Sequence, residues 1–459
     1  FPALFAGLIG LLATAVVASA APPARLALTG ARIIPVVGEE IAEGTVLIEH
    51  GRIKAVGTDV DLPYDAMEID LSGMVIFPGM IDPHSFRGLD VANETLDVAP
   101  YLDVYDALDP SRAYFEDALR DGKTSIHVMQ GNNTVVGGVS RIVRPIGLSV
   151  EEMTVAADIG LKMSTSPKSG FDRMRQMAVL RETFMELNEY LERLPEEKYE
   201  EWLKERDEPL DVGPEEARER GKALITDADY DDAHANLVRL ERGDLDAWIY
   251  AGAATDVGPA LELAEERGML EHTVLVAGAS THKAVEEIQA AGRPVVLDSN
   301  LFYRERDPIT GELSETFIPE VFHGSGVLFA LVPAPSNSLA ERYLNYQAAV
   351  CVRNGVPRQA ALESITINPA RILGMGDELG SIEPGKVANL VVFSGDPLDF
   401  NSWVEHVFIN GMHAYDRDRD PRLQELLELE AAGEEPMADE AADEAADDAD
   451  EASDEGGNG

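Results

Sequence analysis

From residue 24 to residue 76, apolar and polar positions alternate in short runs. Residues 31–35, 45–48 and 52–56 are rich in β-branched side chains, and His50-Gly51 offers a turn between the last two, so the pattern predicts strands. The same texture returns at 388–393 and 404–409, where Asn410-Gly411 predicts a two-residue hairpin turn into a strand at 412–415. Between these ends the pattern changes. Apolar runs recur at 74–81, 124–129, 139–143, 160–163, 247–250, 273–276, 294–297 and 327–332. Stretches with apolar residues three and four apart lie between most of them, at 257–267, 283–291 and 339–354. Strand alternating with helix implies parallel pairing, and eight such units close into a barrel. The predicted fold is therefore α/β: a (β/α)8 TIM barrel over 80–375, and a small composite β-sandwich domain built from both chain ends, 21–79 plus 376–420. A helical insertion at 170–243 interrupts the barrel. Its stripe of Met174, Met177, Leu180, Phe184, Leu187, Leu191 and Leu194 predicts a core-facing surface rather than a ligand site.

Composition changes this picture mainly at the ends. Of 459 residues 45% are hydrophobic, which excludes a chain disordered throughout, and the single Cys351 excludes both an intrachain disulfide and a Cys-based zinc cage. Eighty-four acids against 37 bases leave a net charge of −47, a balance that repels nucleic acid. Residues 1–24 carry no charge; an apolar run at 4–17 precedes Ala18-Ser19-Ala20 and Pro22-Pro23. This reads as a signal peptide at 1–20 and an exported, periplasmic or extracellular protein, the alternative being a membrane anchor through 1–24. Residues 421–459 read as an acidic disordered tail, because residues 423–459 hold fifteen acids and no base and offer little apolar surface to bury near the end.

Function in such barrels lies at the carboxyl ends of the strands. Gly79-Met80-Ile81-Asp82-Pro83-His84 stands there, and Gly380-Ser381-Ile382-Glu383-Pro384-Gly385-Lys386 leads into the strand at 388–393, followed by Gly395-Asp396-Pro397. With Asp121-Gly122-Lys123-Thr124-Ser125, the loop at 131–138 and Thr366-Ile367-Asn368-Pro369-Ala370, these motifs resemble the amidohydrolase superfamily, and within it exported bacterial members similar to imidazolonepropionase. The resemblance implies hydrolysis of C–N bonds by a metal-activated water. It implies two imidazoles after strand one, imidazoles after strands five and six, and a carboxylate after strand eight, holding one or two divalent ions.

Carried onto this sequence, one of those five positions keeps its ligand. His84 stands at the first, but the second is Phe86; the strand-five position falls in Trp248-Ile249-Tyr250-Ala251-Gly252, the strand-six position is Ala277, and the strand-eight position is Ala334. The expectation is a pseudoenzyme that has lost metal-dependent hydrolysis and binds a small molecule or a partner. One alternative is an active hydrolase with a rearranged, mononuclear site; another is a structural or interaction protein with a plugged barrel. The mouth candidates are His84, Arg87, Asn132, Asn133, Lys162 and Asp298. No cofactor is expected; an active form would need a divalent metal such as Zn, with His84 the retained ligand. Expected partners are a small-molecule ligand and a homo-oligomer, or a hetero-oligomer with an active relative. Of the other imidazoles, His127 reads as packed within strand two, and His282 and His323 as structural or solvated. The loop Gly131-Asn132-Asn133-Thr134-Val135-Val136-Gly137-Gly138 either offers amides to a ligand or forms tight turns.

Overall fold

In the computed structural model, residues 25–210, 212–334 and 342–432 are described. The signal segment at 1–20 and residues 433–459 lie outside them. In chain order the first stretch forms β1 (Arg25–Ile33), β2 (Ile41–Glu49), β3 (Arg52–Gly57), β4 (Met67–Asp70) and β5 (Val75–Pro78). The middle begins with β6 (Met80–Ser85), β7 (Lys123–Val128), β8 (Val136–Val139), β9 (Arg141–Val143), β10 (Thr154–Ala156) and β11 (Gly160–Ser164). It continues through β12 (Asp246–Ala251), β13 (Thr273–Ala277), β14 (Val295–Leu297), β15 (Phe302–Arg306), β16 (Leu313–Phe317) and β17 (Phe329–Leu331). The last stretch forms β18 (Leu390–Phe393), β19 (Val404–Ile409) and β20 (Met412–Asp416).

One sheet draws on both ends of the chain, in the order β20-β19-β18-β5-β1-β2-β3, with β4 parallel to the first half of β1. Its turns follow the local chemistry. His50-Gly51 and Asn410-Gly411 all take positive φ, the conformation a two-residue hairpin requires. Leu26, Leu28, Ile33, Val46, Ile48, Ile76, Leu390, Val392 and Phe408 pack as its own core.

The apolar run at 74–81 is not one strand. β5 joins the composite sheet and β6 starts the inner strands, with Gly79 between them. A Cβ on Gly79 would lie 2.0 Å from the Thr124 hydroxyl oxygen, so β7 passes too close for any side chain there.

The inner strands form two sheets, β10-β9-β7-β6 and β17-β14-β13-β12-β11-β8. β6 and β7 pair in parallel, as do β11 through β14 and β17. The expected third parallel strand runs the other way: β9 is antiparallel to β7 and β8 antiparallel to β11. The reason is the connection. A parallel return needs a crossover of a dozen or more residues, and only 129–135 separate β7 from β8. Ser140 breaks the strand between β8 and β9, where its hydroxyl lies 3.0 Å from the Gly160 carbonyl and accepts from the Gly160 amide at 3.1 Å. The ends of the two sheets meet at a turn: the Ile81 amide donates to the Ile365 carbonyl and the Leu331 amide to the Ser364 carbonyl.

Helices cover the parallel strands, including Ala254–Glu266, Val285–Ala291 and Leu344–Arg353. The insertion is the helix Arg173–Glu205, followed by Pro214–Lys222 and Asp232–Arg242. Met177, Leu180, Phe184 and Leu187 are buried against the main core, as expected, whereas Met174 is exposed. Residues 421–432, grouped above with the tail, are a helix, Pro421–Ala432. It is anchored where Arg120 meets the buried Asp420 at 2.7 Å and Arg422 meets Asp117 at 3.2 Å. No helix of the described residues is long and apolar enough to cross a membrane.

Candidate functional site

A cavity of about 180 Å³ opens at the carboxyl ends of the inner strands. His84, Ser85 and Phe86 reach it from the end of β6, Asn132 from the loop after β7, Tyr250 from β12, Val276 from β13, and Asp298 and Ser299 from the end of β14. Val332 and Pro333 close it beyond β17. The strand direction, with this cavity at the carboxyl ends, is what the sequence pattern implied for a functional mouth.

Lys162, fully buried on β11, organises the floor. Its ammonium nitrogen lies 2.9 Å from His84 Nε2 and 2.6 Å from Asn132 Oδ1. Burial brings the Lys162 amine down from 10.5 to about 7, and burial with the Lys162 charge beside it holds the His84 imidazole well below its usual range. His84 is thus neutral, and while Lys162 is protonated the Nε2 lone pair accepts its proton. The Tyr250 ring lies 5.8 Å from the same nitrogen, and burial raises its phenol to about 12, with Asp298 and Asp256 adding to the effect.

Beneath the mouth, Asp82 is fully buried. Its carboxylate accepts from the His84 amide at 3.3 Å and from the Tyr114 hydroxyl at 3.2 Å, and Tyr114 also bonds Ser85 Oγ at 2.8 Å. Burial raises Asp82 to about 6, with Lys123 opposing. His127, also buried, donates from Nδ1 to the Pro83 carbonyl at 2.8 Å and sets Nε2 2.7 Å from Ser140 Oγ; burial lowers it to about 4, so it is a packed neutral imidazole.

Of the six mouth candidates, His84, Arg87, Asn132 and Asp298 line the cavity and Lys162 bonds two of them. Arg87 lies with its guanidinium 4.8 Å from the Tyr114 ring centre. Asp298 is tied back by its own amide, which donates to the Ala277 carbonyl at 3.0 Å, and by the Ser299 hydroxyl at 3.2 Å. Asn133 does not line the cavity. Its amide donates to Asn93 Oδ1 at 3.0 Å and its side-chain oxygen accepts from the Ser169 amide at 2.7 Å, so it holds loops together. The Gly-rich loop spends its amides likewise, Gly131 on the Ala92 carbonyl, Val135 and Val136 on Asp97, and Gly138 on Gln130 Oε1. These bonds run to residues 92, 97 and 130, so the loop is tied to a neighbouring segment and those amides are spent within the protein. His282 bonds the Ala279 carbonyl.

Sequence reasoning passed over Asp82, Tyr114 and Tyr250. Asp82 sat inside a quoted motif, and Tyr250 inside a quoted strand end; Tyr114, on a helix 32 positions from Asp82, gave no local signal.

The donor set for a divalent ion can be tested directly. Phe86, Val276, Ala277 and Ala334 have no lone pairs, Tyr250 stays protonated, and Asp82 is engaged and raised by burial. His84 already accepts from Lys162. Asp298 is then the remaining carboxylate of the cavity lining, short of the three protein ligands a catalytic zinc site uses. Among the described residues, three metal-ligating side chains converge at His406, His413 and Asp416, on the composite sheet.

A small pocket at the carboxyl ends of parallel strands, beside a sheet assembled from both ends of the chain, marks the class of α/β scaffolds to which the comparisons point. The amidohydrolase family profile matches residues 325–413. The imidazolonepropionase of Geobacillus sp. (strain WCH70) is 24% identical over 429 residues, 85% of this chain and 93% of that protein. The amidohydrolase TasK of Hapsidospora irregularis is 24% identical over 404 residues; the match takes in 81% of this chain and only 40% of that longer protein. The crystal structure of an amidohydrolase from Thermotoga maritima MSB8 is 28% identical with a TM-score of 0.69, covering 85% of this chain and all of that one. The chain is thus similar to amidohydrolases along most of its length, and the comparisons support the amidohydrolase superfamily and a hydrolase of C–N bonds in general.

Proposed function

We propose that this protein is a superfamily member that no longer carries out metal-dependent C–N hydrolysis and instead holds a small polar molecule at the mouth of its inner strands, read as the staves of one barrel. One observation carries the reading: Nε2 of His84, the single retained ligand position, lies 2.9 Å from the buried Lys162 amine and accepts its proton when that amine is charged. A basic nitrogen held there supplies locally, when protonated, some of the positive charge an ion would bring, and it occupies the lone pair the ion would need. On the cavity lining Arg87 carries guanidinium N–H groups and Asp298 a carboxylate, and a molecule bearing a carbonyl or carboxylate beside an N–H or O–H group suits both.

Hydrolysis of cyclic imides and acylated amino acids, measured with added Zn, Mn or Co and then with chelator, tests the reading. The expected rate equals that of His84→Ala under every condition. Turnover that chelator removes and His84→Ala abolishes overturns it and leaves an active hydrolase with a rearranged site, the reading that family membership favours. The size of the cavity supports a third account. At about 180 Å³ it is below the roughly 300–1,000 Å³ of ordinary ligand pockets, and Phe86 lines it, as a plugged mouth would require. Failure to bind any small carbonyl or carboxylate compound by ligand-observed magnetic resonance would favour that account.

A further inference from the structure

We propose a divalent-cation site on the composite sheet, formed by His406, His413 and Asp416 and suited to an ion of the zinc class. The site lies on the β19–β20 hairpin, whose pairing sets His406 opposite Asp416 and Phe408 opposite His413. Between those pairs the register slips: Val407 faces Tyr415, and Ala414 is the extra residue. A regular hairpin would pair Phe408 with Ala414 and turn His413 to the other side. The bulge re-aims that one side chain so that both imidazoles and the carboxylate share a face.

The distances are those of ligands around a common centre. His413 Nε2 lies 3.2 Å from His406 Nδ1, and His406 Nδ1 lies 3.8 Å from Asp416 Oδ1. The three ligand atoms all fall within 4.8 Å of one another. Bonds of about 2.0–2.1 Å in a tetrahedron put neighbouring ligands about 3.3–3.4 Å apart, so closing on an ion takes shifts of well under the length of one bond. The groups are also oriented from behind. His413 stacks on the buried Phe408 ring, centroids 4.7 Å apart and planes 16° apart. Asp416 Oδ1 accepts from the Asp418 amide at 3.2 Å, and Asp416 Oδ2 meets the exposed Arg419 at 3.3 Å. Such outer contacts fix ring and carboxylate orientation in metal sites. Two nitrogens and one oxygen match zinc-class ions rather than magnesium, which demands an oxygen octahedron, and leave one position for water. The bound ion would pin β20, and through it Tyr415 and the helix Pro421–Ala432, to β19.

The test is calorimetric titration of ZnCl2 into chelator-washed, tag-free, full-length protein, with MgCl2 as control. One Zn per chain is expected, weakened at least tenfold in His406→Ala and in His413→Ala, unchanged in His84→Ala, with no magnesium uptake. Asp416→Asn, which keeps the hairpin's shape, guards against variants that merely unfold; it too should weaken binding, with an unaltered circular dichroism spectrum. Co-loaded protein should show the visible absorption of a four-coordinate ion. Absence of saturable zinc binding in the wild type, or binding that persists in the His406→Ala/His413→Ala double variant, overturns the proposal. A zinc equivalent that vanishes with His84→Ala would instead count against the proposed function, so the two failures are distinct.

Discussion

Lys162 is held in the core of the mouth with its pKa lowered to about 7 by burial, and its effect on stability depends on pH. Below about 7 the folded state carries a buried ammonium, so the full cost is present; it fades as pH rises from about 7 toward the unfolded value near 10.5. Lys162→Met should therefore gain on the wild type most near pH 6 and lose that gain, on the order of a few kcal/mol, by about pH 10, as read by urea unfolding at both ends. Asp82 has the opposite window. Its carboxyl is raised from 3.8 to about 6, so the stability it contributes is complete below about 4 and lost as pH rises through about 6. Asp82→Asn should flatten the stability curve in that window. At this scale His84 was legible from a quoted motif, and Lys162 and Asp298 from their places within and just after apolar runs read as strands. It hid Tyr114, whose contact with Asp82 depends on how a distant helix packs, and it misassigned Asn133, whose neighbours Asn93 and Ser169 come from two other loops.

Elements were legible where the pattern was local. The turn residues at 50–51 and 410–411 and the strands β12, β13 and β19 lie where alternation put them, within a residue or two. What the pattern lacked was direction and ownership. An apolar run does not say that Gly79 divides it between two sheets, nor that the strand of β8 and β9 runs antiparallel because its loop is short. Gly79→Ala would drive a methyl into Thr124 and should cost about 1–3 kcal/mol, measured as a lowered melting temperature. The insertion offers a second close approach. Pro195 lies inside the long helix, and a Cβ on Gly221 would sit 1.7 Å from the Pro195 carbonyl oxygen, a contact that fixes how the helix Pro214–Lys222 crosses it. Gly221→Val should separate the two helices and raise protease sensitivity within residues 206–222, leaving the mouth intact.

For the molecule as a whole, the likeness to amidohydrolases is one of scaffold, and the proposed loss of hydrolysis is a matter of side chains at the mouth. The likeness is spread along 85% of the chain; the proposed function rests on a few side chains at strand ends. Resemblance could carry the scaffold, since turns, glycines and strand order recur along the chain, but the activity depends on which atoms have lone pairs to give. The most direct test of the central claim is the metal content of the His406→Ala/His413→Ala double variant, produced in medium supplemented with Zn, Fe and Mn and analysed by inductively coupled plasma mass spectrometry. The account predicts far less than one equivalent of any transition metal per chain. One equivalent that survives in this variant and is lost on adding His84→Ala would contradict it.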